Sequence, residues 1–330
     1  MSTGAPATST MPTTTSLAHL PVTLFAAVMG LGGLALAWRR AALVWDLPHW
    51  PADLLFWVAV AVFVLLASAY LAKWVRYPEQ ARAELRHPIR MTFVPTVTIG
   101  LLVLATAGQD LVPTLAQGAW WVGAVGHLVL TLVVISAWFT REDIGLTEMT
   151  PAWFIPVVGN VVTPLAARSL GSVELAWFAF GVGLVFWVAL LPLLLFRLLL
   201  HGSPLPPPLL PTLAIFVAPP AVIGLSWVAL GGHPGDPVTR IFYAAMVAFL
   251  LLVLAQGRRL ARVPFALPWW AYTFPLGAAA AAATAAAGAW PGTAYDVVAG
   301  TLLILATVVV AVVVALTLRL AVRHQICVPD

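Results

Sequence analysis

Apolar runs recur from one end of this chain to the other, each long enough to cross the ~30 Å hydrocarbon core of a bilayer as a helix. Lipid offers backbone amides no partner, so such runs must satisfy their own hydrogen bonds as helices. Only 8% of the 330 residues are charged, against about a quarter in soluble domains. The runs are too many and too evenly spread for one of them to be a cleaved leader. An all-α, polytopic membrane protein follows. The lone cysteine, Cys327, excludes an intrachain disulfide and any Cys-based metal cluster. A formal net charge of +4 is no nucleic-acid signal, because the basic residues sit between the apolar runs.

Ten apolar segments stand out between clusters of charge, Pro and Gly: 19–39, 51–75, 88–108, 115–139, 150–169, 172–200, 208–231, 237–256, 267–288 and 294–320. Residues 1–18, rich in Thr, Ser, Ala and Pro, are expected to form a disordered cytoplasmic tail, and 321–330 a short C-terminal one. Lys73, Arg76, Arg82, Arg86, Arg90, Arg141, Arg197, Arg258, Arg259, Arg262, Arg319 and Arg323 fall on one side of this layout. Only Arg39, Arg40, Arg168 and Arg240 fall on the other. That bias puts both termini in the cytoplasm of a cell (inner or plasma) membrane protein and asks for an even number of spans.

The segments alternate in kind. Odd ones carry prolines and small residues, as in "FVPTVTIG", "IPVVGNVVTP", "VAPPAVIG" and "YTFPLGAAAA". Even ones are bulky, as in "VAVAVFVLLASAY" and "ILATVVVAVVVALTL". Gly, Ala and Pro suit a crowded or cavity-lining interior, while Leu- and β-branched-rich faces suit lipid. Five helical hairpins, each with a broken inner and a smooth outer helix, are the economical arrangement. Pro95, Pro156, Pro164, Pro219, Pro220 and Pro275 are expected to kink the inner helices at a common depth.

No Asp, Glu, Lys or Arg lies mid-span in an odd segment. Proton coupling and tight substrate binding normally need such groups, so passive conduction through a neutral pore is the better expectation. The arginines of "RAELRHPIR" and "QGRRLARVP", chiefly Arg86, Arg90, Arg258, Arg259 and Arg262, would raise anion concentration at a cytoplasmic mouth. They serve equally well as topology determinants and lipid headgroup contacts. His127, alone on an outer span, fits a helix–helix hydrogen bond better than a metal site. Asn160 could face either the pore or a neighbouring helix. No nucleophile–base pair, phosphate loop or zinc motif is present, so neither an enzyme nor a cofactor is expected.

Six strings in collinear order, among them "MGLGGLALAW", "RHPIRMTFVPTVTIGLLVLA", "TPAWFIPVVGNVVTPLAA", "PTLAIFVAPPAV" and "WWAYTFPLGAAA", resemble the tellurite-resistance/C4-dicarboxylate transporter family, which includes the slow-type anion channels of plant guard cells. The resemblance implies ten helices with quasi-fivefold symmetry around a central pore, a homotrimer with one pore per protomer, and small anions such as chloride or nitrate as partners beside membrane lipids. Family names also invoke malate and tellurite. A phenylalanine of the ninth helix occludes the pore in that family, and by position this is Phe274. With it go the expected pore-lining residues Phe25, Gly30, Phe93, Asn160 and Phe216, beside the six prolines. Trp269, Trp270 and Tyr272 are expected to be belt or packing residues. The kinase-regulated tails of the plant members find no counterpart, so their phosphorylation control is not carried over. A secondary carrier for dicarboxylates or a tellurium oxyanion, and a ligand sensor whose pore never opens, are the competing readings.

Overall fold

The structure, a computed structural model, describes residues 16–200, 204–290 and 292–328. Among these residues every regular element is helical. Eight stretches are long and apolar enough to cross a membrane: Val22–Trp45, Trp50–Arg76, Arg90–Gly108, Pro113–Thr140, Val173–Leu200, Pro207–Ala229, Pro237–Ala255 and Thr293–Val322. The other two segments differ for local reasons. The fifth is divided into four short pieces between Pro151 and Leu170. The ninth, Leu267–Tyr272 followed by Thr273–Ala289, is built largely of Ala and Gly and carries little apolar weight.

Odd and even segments occupy different layers. The first, third and seventh bury 72–83% of their most apolar 18-residue window, whereas the five even segments bury 11–33%. Each odd segment packs on the even one that follows it, and also touches the odd ones before and after it. First, third, fifth, seventh and ninth thereby close on themselves, with the bulky even helices outside. Nearly all the exposed large apolar side chains within the segments, such as Leu65, Leu132, Val185, Leu251 and Ile304, belong to the even set. Such a surface suits lipid.

The inner segments are not kinked α-helices, as the prolines suggested. They begin as 3₁₀-helix and change to α partway. The changeovers fall at Phe25–Ala26, between Phe93 and Thr96, at Val217–Ala218 and at Tyr272–Thr273. The fifth segment alternates between the two forms. Proline explains where the change comes. Pro219 and Pro220 open the α-helix Ala218–Ala229, and Pro275 sits in the first turn of Thr273–Ala289. A missing N–H costs nothing there, because the first-turn donors have no intrahelical acceptor.

The expected tail, 1–18, lies mostly outside the described residues. The Ser16 amide donates to the carbonyl of Cys327 at 3.0 Å, which brings the two ends of the described chain to one side. Close by, a buried charge pair pins the start of the first segment. Lys73 Nζ donates to Glu84 Oε2 at 2.9 Å and to the Leu20 carbonyl at 2.8 Å, and Glu84 Oε1 accepts the Val22 amide at 3.2 Å. Tyr70 adds its hydroxyl to Glu84 at 2.8 Å. These side chains satisfy the backbone groups on either side of Pro21, where no helix does so. Removing one member strands the other charge, so Lys73→Met is expected to cost about 3–5 kcal/mol. The double variant Lys73→Met/Glu84→Gln should recover much of that loss, as read from thermal unfolding of the detergent-solubilised protein.

Candidate functional site

At the 3₁₀-to-α changeovers the inner segments stand apart and leave a cavity of about 80 Å³. All five odd segments border it and no even one does. The first contributes Ala26 and Met29, the third Phe93 and Thr96, the fifth Phe154 and Val158, the seventh Ala218 and Pro219, and the ninth Trp270 and Phe274. No ionisable group is among the lining residues. One of its hydroxyls is engaged already, since Thr96 Oγ1 donates to the Phe93 carbonyl at 2.6 Å.

Phe274 is held in place by glycine. A Cβ on Gly33 would stand 3.0 Å from its ring, so the missing side chain leaves the space the ring occupies. One turn on, a Cβ at Gly277 would lie 2.9 Å from the carbonyl carbon of Gly33, so the first and ninth helices cross at backbone distance. Gly30 is equally constrained, with the Thr273 side chain filling the place of its Cβ.

The structure brings only part of the expected set together. Phe93, Pro219, Phe274 and Pro275 border the cavity. Phe25 instead turns outward, edge-on to Phe63 and Tyr70 of the second segment at 6.0 and 5.9 Å. Phe216 packs on Phe154 and Phe249. Asn160 is fully buried and faces the fourth segment, its amide donating to Thr131 Oγ1 at 2.8 Å and to the Val157 carbonyl at 2.9 Å. Its carboxamide needs partners that the apolar cavity does not offer. Pro156 and Pro164 are buried in the fifth segment, the carbonyl of Pro156 accepting from Thr131 at 2.6 Å, and Pro95 caps the helix Thr96–Gly108. His127 Nδ1 meets Thr98 Oγ1 at 2.9 Å between two helices. Arg86 and Arg90 lie where the helix Pro78–Arg86 meets the third segment, and Arg258, Arg259 and Arg262 line a separate cleft with Pro207 and Leu210. None of the five arginines borders the central cavity.

A second, larger space of about 560 Å³ opens at the C-terminal ends of the first, seventh and ninth segments. It shares no lining residue with the central cavity. Arg40, Pro220, His233, Tyr243, Ala285 and Trp290 are on its wall.

Residues 19–318 match the SLAC1 family of voltage-dependent anion channels. The chain belongs to this family. It is 31% identical over 280 residues to an uncharacterised transporter of Methanocaldococcus jannaschii, covering 77% of this chain and 80% of that one. With the S-type anion channel SLAH3 of Arabidopsis thaliana it shares 29% identity over 310 residues, 92% of this chain but 48% of the plant protein. The tellurite resistance protein TehA homolog of Haemophilus influenzae is 26% identical, with 81% of each chain aligned. The resemblance drawn from the motifs and the family match therefore agree.

In this family member the sequence-based reading missed Phe154 and Met29 on the cavity wall, although Phe154 stands in the quoted "AWFIPVVGN" string. Trp270, expected as a belt or packing residue, donates to Thr317 at 3.0 Å and also borders the cavity. Near the larger space, Asp236 caps the eighth segment. Partial burial raises its pKa, but hydrogen bonds from the Thr239 amide, the Trp227 indole, the Thr239 hydroxyl and the His233 amide outweigh this and hold it at about 2. Its stabilisation is complete above the ordinary value of 3.8 and is lost as pH falls through about 2. The melting-temperature gap between wild type and Asp236→Asn should accordingly be constant near neutrality and close towards pH 2. Gly277→Ala is expected to cost about 1–3 kcal/mol through its clash with the Gly33 backbone. Gly300→Ala, where a Cβ meets nothing within 4 Å, should be neutral or stabilising in the same thermal assay.

Proposed function

We propose that this protein is a passive channel for small anions such as chloride or nitrate, with Phe274 closing a neutral pore through the centre of the five odd segments. In this reading the ten segments form five hairpins in quasi-fivefold array, both termini are cytoplasmic, and protomers assemble as trimers. The observation that carries the reading is the central cavity itself. It is bordered by every odd segment and no even one, and Phe274 is on its wall with no ionisable residue beside it there. A neutral, hydrocarbon-lined constriction offers no group strong enough to trap an ion, which is what rapid conduction requires. Phe274 is the one aromatic side chain in a helix otherwise built of Ala, Gly, Thr, Pro and Leu276, so its ring is the bulk that this α-helix brings to the cavity, beside Trp270 from the 3₁₀ start.

The names of relatives support the choice of ion: the plant proteins are anion channels. The TehA homolog's tellurite resistance keeps a carrier or exporter of dicarboxylates or a tellurium oxyanion as the second reading. Against coupled transport stands the absence of any carboxylate or base on the cavity wall. Mutation and ion substitution separate the two. Phe274→Ala should raise anion conductance of the liposome-reconstituted protein many-fold, Phe274→Leu less so, with a reversal potential that follows chloride or nitrate. Unchanged flux in Phe274→Ala would remove the gate. Saturable flux that tracks a pH gradient would establish the carrier.

A further inference from the structure

The larger space at the C-terminal ends of the inner segments has a lining unlike that of the central cavity. Among the described residues no Asp or Glu borders it. Arg40 does, is exposed to it, and makes no hydrogen bond or ion pair among the described residues. Its neighbour Arg39 behaves in the opposite way, binding Asp53 at 2.8 Å and Asp110 at 3.6 Å. Two further carboxylates at this end are engaged elsewhere: Asp296 accepts the Trp45 indole at 3.0 Å, and Asp236 accepts the Trp227 indole at 2.6 Å. Arg40 thus keeps a full charge with no counter-ion supplied by the described protein.

Several polar groups beside it offer donors. Trp290 Nε1 is buried and has no acceptor among the described residues. The Tyr243 ring stands edge-on to Trp290 at 5.2 Å, and its hydroxyl makes no hydrogen bond there either. His233 Nδ1 accepts the Gly235 amide at 3.1 Å, which leaves the proton of the neutral ring on Nε2. A cation with several unspent N–H and O–H donors and no carboxylate matches an anion. The need for such a charge is also visible. The first, seventh and ninth helices end at this space, each presenting roughly half a negative charge from its dipole. An anion arriving there would be repelled without a compensating cation.

We propose that Arg40, with Trp290, Tyr243 and His233, forms an anion-binding vestibule at the mouth opposite the chain termini, taking a halide or nitrate before it meets the Phe274 constriction. The inference rests on the channel reading for its role, but not for the binding itself. Anion current through Phe274→Ala protein in liposomes, with chloride or nitrate, tests the role. At low salt, adding Arg40→Gln to that parent should reduce anion current from the Arg40 side on the order of 10-fold, and Arg40→Lys should keep most of it. The difference should fade near 1 M salt, where the Debye length is ~3 Å. Equal currents at low salt for the parent and for its Arg40→Gln and Arg40→Lys derivatives would overturn the role. Binding is read without conduction, from the rise in melting temperature when nitrate replaces gluconate at constant ionic strength. Loss of that rise in Arg40→Gln, with partial loss in Trp290→Phe, supports the site, and its persistence in Arg40→Gln overturns it. If the Phe274→Ala parent carries no anion current, the channel reading fails separately and the nitrate shift alone decides the vestibule.

Discussion

The crossing of the first and ninth segments at backbone distance is the contact on which the inner ring depends. A side chain on Gly277 would run into the Gly33 backbone and force the helices apart, and one on Gly33 would displace the Phe274 ring. That crossing joins the last inner segment to the first, and it seats the Phe274 ring against the Gly33 gap. Membrane helices gain little from hydrophobic transfer on associating, so close van der Waals packing of small residues does that work. The alanines of Thr273–Ala289 are therefore the contact surface of a helix that must approach closely on several sides.

A second principle governs the other end of the inner segments. Their 3₁₀ starts leave backbone groups that no regular helix satisfies, and side chains from the outer layer supply partners. Lys73 and Glu84 do so around Pro21, and midway along the fifth segment, where α gives way to 3₁₀, Thr131 serves the Pro156 carbonyl. The outer helices thus contribute more than a lipid-facing coat.

Much of this was legible in the sequence. Gly, Ala and Pro against bulky Leu, Val and Ile separated inner from outer segments, because the two layers face different solvents. The family resemblance of "WWAYTFPLGAAA" singled out Phe274. What could not be read was rotation about each inner axis. A 3₁₀-helix turns about 120° per residue and an α-helix about 100°. A few 3₁₀ residues are therefore enough to turn a side chain to another face. Phe25, the last residue of Val22–Phe25, thereby faces the second segment while Phe154 takes a place on the cavity wall. Arg40 counted only towards the charge bias for a different reason: its sequence neighbours gave no sign that Arg39 would take Asp53 and Asp110 and leave Arg40 without them.

The size of the central cavity has a consequence for whatever crosses it. About 80 Å³ walled by hydrocarbon cannot hold an anion together with its full complement of waters. The walls carry almost no donors to replace those lost contacts. An ion passing this point must be stripped, and the work of stripping it rises with charge density. On the channel reading, large and diffuse ions would cross ahead of small, hard ones, so the order of permeation is set by dehydration rather than by recognition.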